Sequence, residues 1–209
     1  MPKETPKSEW EEITIIEEEI ASPGSFYVVP EKRDNSPKLT LVLDLDETLI
    51  HFSDLSPSKA CPGSKEEYFG GYYMVRPYAL SFLEEMNEFY EIIIFTAGTQ
   101  GYADWILDQI DDTNKNISHR LYRHHTMPEG DTYIKDLDLL NRDLKHTLIV
   151  DNLKENFTYH QENGIEIHSW YDDFGDRCLF HLGTILKILA EESHTTEFDI
   201  RESIKKFRP

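Results

Sequence analysis

Three short apolar runs, each ending in polar groups, constrain the fold of this chain more than any other feature. Leu39–Leu45 reads LTLVLDL, Glu91–Phe95 reads EIIIF and Thr147–Val150 reads TLIV. Near-continuous Leu, Ile and Val suit strands buried on both faces, as in the middle of a parallel sheet. The intervening segments supply helices. Pro77 suits the first turn of a helix running to about Phe89, with Leu80, Leu83 and Met86 on one face. Gln100–Ile110 predicts a second helix, and Phe174–Glu191 a third that covers the sheet. Tyr72–Val75 reads as a short strand and Ile165–Ser169 as a fourth buried one. Residues 52–71, rich in Pro and Gly, predict a long loop or small flap. Residues 117–134 alternate around a Pro-Glu-Gly turn and predict a small antiparallel insertion, and Leu137–Leu144 is helical or turn-rich. The expected class is α/β: an open, mostly parallel, Rossmann-like sheet with helices on both faces, a small flap and a short β insertion.

The ends of the chain differ from this middle. Residues 1–37 form an acidic N-terminal extension with prolines at 2, 6, 23, 30 and 37. Ser8 and Glu11 match a capping box, and Trp10, Ile13, Ile16 and Ile20 recur at roughly helical spacing. A short helix over about 9–20 and a solvated tail are both open readings. Residues 38–193 hold the α/β domain, and 194–209 read as a charged C-terminal tail.

Composition excludes some partners. With 21 basic and 40 acidic residues the net charge is −19. That field repels phosphate backbones and anionic headgroups, so neither direct nucleic-acid binding nor a membrane partner is expected. Cys61 and Cys178 form no CxxC pair, which suits a reducing compartment better than a disulfide framework. No run approaches the roughly 18 apolar residues that span a bilayer. The expectation is a soluble intracellular monomer, nuclear and/or cytoplasmic.

Open parallel sheets bind ligands beyond the carboxyl ends of their strands. There the first run gives Asp44-Leu45-Asp46-Glu47-Thr48, the second Thr96 and the third Asp151-Asn152. Asp44 and Asp46 start on one side of an extended segment. Two close carboxylates raise the pKa of one of them unless a cation lies between. A hard, oxygen-seeking ion such as Mg²⁺ meets that need. One aspartate can then attack a phosphoryl group while the other transfers protons.

The motifs DLDETL at 44–49, FTAG at 95–98, YIKDL at 133–137 and VDN at 150–152 resemble the four motifs of the haloacid dehalogenase superfamily. The pattern is similar to the small phosphatases acting on the C-terminal domain of RNA polymerase II, the FCP1-homology group. YMVRP at 73–77, GYAD at 101–104, RLYR at 120–123 and SWYDD at 169–173 extend the likeness over about residues 38–193. The resemblance implies that residues 38–193 are a phosphatase domain. It implies Asp44 as the nucleophile and Asp46 as the general acid/base whose carbonyl also touches Mg²⁺. Thr96 would hold the phosphoryl and Lys135 neutralise it. Asp44, Asp46 and Asp151 would form the metal set, and Thr48, Tyr102, Arg123 and Asn152 would lie with the substrate.

The reading is a Mg²⁺-dependent protein serine/threonine phosphatase working through an aspartyl-phosphate. Its partner is a phosphoserine or phosphothreonine protein, with the polymerase tail as one candidate. The lack of a large cap in the sequence favours a protein over a metabolite. The alternatives are a small-molecule phosphatase and a protein-binding scaffold on the same fold. Retention of all three carboxylates and the lysine favours an enzyme. His119, His124 and His125 read as surface residues rather than metal ligands, and Cys178 as a packing residue.

Overall fold

All three apolar runs become neighbouring strands of one sheet in a computed structural model, which describes residues 28–53 and 71–208. The chain runs β1 (Leu39–Leu43), β2 (Ile50–Ser53), β3 (Tyr72–Val75), α1 (Ala79–Met86), β4 (Tyr90–Phe95), α2 (Gln100–Ile110) and β5 (Ile117–Leu121). It continues through β6 (Met127–Glu129), β7 (Thr132–Ile134), β8 (Thr147–Asp151), β9 (Gly164–Glu166), α3 (Cys178–Glu192) and α4 (Ile200–Ser203). The main sheet has the order β5-β4-β1-β8-β9. Every pairing in it is parallel, with Leu41 opposite Ile92 on one side and Leu148 on the other. Successive strands spread outward from β1 to β5 before the chain returns to β8 on β1's other side. This reversal makes a topological switch point, and it places the carboxyl ends of β1, β4 and β8 around one crevice.

The alternation of side chains across each strand divides the core in two. Leu41, Leu43, Ile92, Ile94, Leu148 and Val150 face α1, α2 and α3. Val42, Ile93, Phe95 and Ile149 pack with Leu137, Leu140 and Phe157, which belong to the 3₁₀ segments Leu137–Leu140 and Lys154–Asn163. Both faces are thus covered, one by α-helices and the other by tighter turns.

Several expectations are corrected in detail. Ile117–Leu121 is not part of an antiparallel insertion but a fifth parallel strand. As an edge strand it is buried only at Ile117 and Leu121, so its polar middle imitates a hairpin pattern. The hairpin itself is limited to β6 and β7. α1 starts at Ala79 rather than Pro77, and its inward stripe is Ala79, Phe82, Leu83 and Met86. Leu80 falls between those positions and is 52% exposed. The last strand stops at Glu166, and the last long helix begins at Cys178. Residues 194–208 are not simply a charged tail. Phe198, Ile200 and Ile204 are buried against the core, apolar positions that the surrounding charges hide in the sequence. The segment 9–20, open to a short helix or a solvated tail, and most of the 52–71 flap lie outside the described residues.

Candidate active site

The site begins where β1 stops. Asp44 keeps the strand's parity and its N–H still donates to Val150 O at 3.0 Å. The chain then turns sharply, with Glu47 at φ 56°. A left-handed residue with a Cβ costs roughly 1–2 kcal/mol, so the turn needs external support. Glu47 N donates to Ile50 O at 2.7 Å, and Trp170 N donates to Glu47 O at 2.8 Å. The SWYDD segment therefore holds the DLDET turn from outside.

Arg76 is the second support, and the sequence reading gave it no role. Its guanidinium is fully buried and grips both carboxylate oxygens of Asp176 at 2.9 Å. It also donates to the Thr48 carbonyl at 3.1 Å. One residue, just beyond the β2–β3 hairpin, thus ties the DLDET turn to the entry of α3. Burial would raise the Asp176 carboxyl, but the hydrogen bonds and charge of Arg76 hold it below the ordinary value. Removing one partner of a buried pair leaves an uncompensated charge, so Arg76→Leu should cost about 3 kcal/mol in urea unfolding. The pH sign is fixed: the unfolded chain takes up the proton first, near pH 4. The pair's stabilisation is complete above that pH and fades as pH falls below it. Arg76→Leu should therefore flatten the acid limb of the stability profile. An unchanged limb would remove the pair from the fold's support.

Lys135 is the centre of the site. It has no exposed surface, and its ammonium lies 2.5 Å from both Asp44 Oδ1 and Asp151 Oδ2. β7 delivers it, and its N–H is fixed by Asn156 O at 2.6 Å. Burial penalises this ammonium, yet the two carboxylates outweigh that and hold its pKa above the ordinary lysine value. Burial pushes Asp44 up to about 7 against the pull of Lys135, and repulsion from Asp151 and Asp46 adds to it. The other Asp44 oxygen accepts from Thr48 Oγ1 at 3.2 Å. Asp151 Oδ1 is also occupied, by Leu153 N at 2.9 Å and Asn156 Nδ2 at 3.0 Å.

Asp46 lines, together with Asp44, a cleft of about 400 Å³. Its oxygens accept from Tyr102 O–H at 2.5 Å and Thr96 Oγ1 at 3.4 Å. Burial is the main reason its pKa is raised. Thr96, buried beyond β4, accepts from Gly98 N at 2.8 Å, which fixes its hydroxyl behind the cleft residues Ala97 and Gly98. Phe52 of β2 meets Tyr102 edge-on at 5.5 Å and closes one wall. Asn152 lines the cleft while Asp151 beside it does not. Its amide nitrogen donates to Ser169 Oγ at 2.9 Å, which turns the side-chain oxygen free for another partner. Arg123 lies exposed at the rim, with Nε on Ala97 O at 2.5 Å and its guanidinium 5.0 Å from the Tyr133 ring centre.

The structure thus gathers Asp44, Asp46, Thr48, Thr96, Tyr102, Lys135, Asp151 and Asn152, with Arg123 at the edge. It does not gather Asp44, Asp46 and Asp151 as a ready three-carboxylate cage. Among the described residues, the acid and imidazole ligand atoms that converge within 4.8 Å are those of Asp136, Asp138 and His160. That group is tied internally, with His160 Nε2 2.8 Å from Asp136. At the cleft, Lys135 stands between Asp44 and Asp151. Three carboxylates against one ammonium still leave negative charge in excess, and the oxygens of Asp44 and Asn152 are hard donors. This donor set suits Mg²⁺. Asn156, Arg76 and Asp176 were missed by sequence reasoning; only the RP pair in YMVRP hinted at one of them.

Residues 39–197 match the family model described as NLI interacting factor-like phosphatase. Over 186 residues the chain is 40% identical to CTD small phosphatase-like protein 2 of Dictyostelium discoideum, covering 86% of this chain and 32% of that protein. It is 33% identical over 188 residues to the human carboxy-terminal domain RNA polymerase II polypeptide A small phosphatase 2, covering 86% and 68%. The first relatives are longer, and the chain spans 32%, 63% and 51% of three of them. In fold it is similar to the fission yeast RNA polymerase II CTD phosphatase Fcp1 bound to beryllium fluoride. The TM-score is 0.53 at 22% identity, over 81% of this chain and 54% of that one.

Proposed function

We propose, for a chain that belongs to the NLI interacting factor-like phosphatase family, the hydrolysis of phosphoserine or phosphothreonine in proteins through an aspartyl-phosphate. The observation that carries this reading is the buried Lys135 held between Asp44 and Asp151, with Asp44 and Asp46 lining the adjoining cleft. With a divalent cation offsetting the excess carboxylate charge, a buried ammonium at that position supports a site that receives a phosphoryl group. Phosphoryl transfer depends mostly on positioning and charge stabilisation, and this equipment serves both.

Asp44 attacks phosphorus, forming the bond from its carboxylate oxygen as the bond to the serine oxygen breaks. Asp46 gives its proton to that leaving oxygen and then takes one from the water that attacks the aspartyl-phosphate. Tyr102 and Thr96 hold Asp46 in place for both transfers. Thr96 Oγ1 and Lys135 hold the phosphoryl oxygens, and Thr48 fixes the Asp44 carboxylate. Mg²⁺, when bound, neutralises charge on the transferring group. Asp44, the Asp46 carbonyl and Asn152 would hold it. Asp151, expected from the resemblance to be a ligand, is assigned instead to carrying Lys135, because Lys135, Leu153 N and Asn156 Nδ2 occupy both its oxygens and it does not line the cleft.

Among the described residues the β2–β3 hairpin puts Phe52 on the cleft wall, and Tyr133 of the β6–β7 hairpin lies under the rim residue Arg123. The lack of a large cap in the sequence supports a protein substrate over a metabolite that must be enclosed. No helix among the described residues is long and apolar enough to cross a membrane. The polymerase tail named in the human relative is the first phosphopeptide to test, and Arg123 at the rim is assigned to docking it.

Mg²⁺ at ~100 times its dissociation constant should stabilise the fold by about 2.7 kcal/mol. The gain should appear as a higher Tm relative to EDTA, persist in Arg123→Ala and disappear in Asn152→Leu. An equal rise in Asn152→Leu would remove Asn152 from the ligand set. Hydrolysis of a phosphoserine peptide that requires Mg²⁺ tests the activity itself; none on either the peptide or p-nitrophenyl phosphate would overturn the reading.

A further inference from the structure

A second groove, mostly apolar, lies away from this chemistry. It holds about 590 Å³ along the edge strand β9, between the Lys154–Asn163 segment, α3 and the C-terminal turn Ile204–Phe207. Phe157, Ile165, Leu182, Ile185, Ile204 and Phe207 supply its apolar lining. Phe207 is 39% exposed and Ile165 and Ile185 are half-buried, so the apolar surface is not finished by the described residues. Lys154 and Arg208 stand on its rim. Of the neighbouring bases, Arg201 pairs with Asp199, Lys205 with Glu202 and Lys206 with Glu192, so the groove itself meets Lys154, Arg208 and one acid, Glu166. In a chain of net charge −19, the lining of this trough carries two bases and one acid.

The N-terminal extension has the complementary chemistry. Trp10, Ile13, Ile16 and Ile20 form an apolar series, and six glutamates lie between residues 9 and 19. The described chain starts on the right side of the molecule. Val28 N donates to Leu139 O, and Val29 belongs to the same apolar cluster as Phe157, a groove residue. The eight steps from Ile20 to Val28 reach up to about 27 Å when extended.

We propose that residues Trp10–Ile20 dock in this groove of their own chain, with the isoleucines and Trp10 covering the trough and the glutamates facing Lys154 and Arg208. The docked segment caps the open edge of β9, which would otherwise offer its backbone to another chain. It also bears on the segment that shapes the cleft, because Lys154 and Phe157 line the groove while Leu153 and Asn156 line the cleft.

The test uses the full chain with a benzophenone photocross-linking amino acid in place of Ile16. Irradiation and peptide mapping should give cross-links within one chain, to the peptides carrying Ile165, Ile185 or Phe207. Hydrogen exchange supplies a second readout that does not depend on altering the groove. The double variant Ile13→Asp, Ile16→Asp should speed exchange across 10–20 by about tenfold. It should also expose 164–166 and 204–207, and high salt should have part of the same effect on wild type. Cross-links between two chains, cross-links to another face, or exchange at the groove unchanged by the double variant would each overturn the proposal.

Discussion

Replacing Lys135 with methionine is expected to cost about 3 kcal/mol of stability in EDTA and to slow turnover by about a thousandfold. The side chain keeps most of its volume, so packing is nearly preserved and the loss isolates the ammonium. Without it, Asp44 and Asp151 face each other across a buried space that had been bridged at 2.5 Å on each side. Removing one member of a buried ionic group costs more than the group itself contributes, because the others stay desolvated and unpaired. Lys135→Arg should not rescue the site, since a planar five-donor fork does not replace a point charge held between two carboxylates. Urea unfolding in EDTA and steady-state kinetics give the two numbers. A stability loss under about 1 kcal/mol would mean that the carboxylates are not held charged by the lysine.

Asp44→Asn should eliminate turnover on any substrate, by about five orders of magnitude, because the nucleophile is gone while the shape is kept. Asp46→Asn should discriminate between substrates. A phosphoserine leaving group needs its proton, whereas p-nitrophenolate leaves without much protonation. The first step should therefore suffer far more on the peptide than on the aryl ester. Kinetics on the two substrates would show it. Equal losses for the two variants on both substrates would deny the aspartates separate roles.

Much of this site was legible because the chemistry sits where buried apolar runs stop. LTLVLDL, EIIIF and TLIV marked the strands, and Asp44, Thr96 and Asp151 followed from their ends. What escaped detection depends on distance along the chain. Arg76 and Asp176 are 100 positions apart, and neither has a local pattern that marks the other. β5 was misread because an edge strand is buried only at its ends. Ile200 and Ile204 were lost among charges for a related reason: two buried residues one helical turn apart are too few to set a period. The relation of Asp151 to Asn152 also needed the structure. Adjacent residues at a strand end point to opposite sides, and only the partners reveal which one meets Lys135 and which one the cleft.

The covalent step can be observed directly. Asp46→Asn should still accept the phosphoryl group from p-nitrophenyl phosphate, whose leaving group needs little help, but lack the base that activates water for the second step. Mixing that variant with p-nitrophenyl phosphate and Mg²⁺, quenching in acid within the first turnover, and weighing the intact protein should show one added phosphoryl mass. Peptide mapping should place it on Asp44, and Asp44→Asn treated alike should carry none. Label on Asp46 or elsewhere, or hydrolysis by the Asp46→Asn variant with no labelled protein at any quench time, would contradict an aspartyl-phosphate at Asp44.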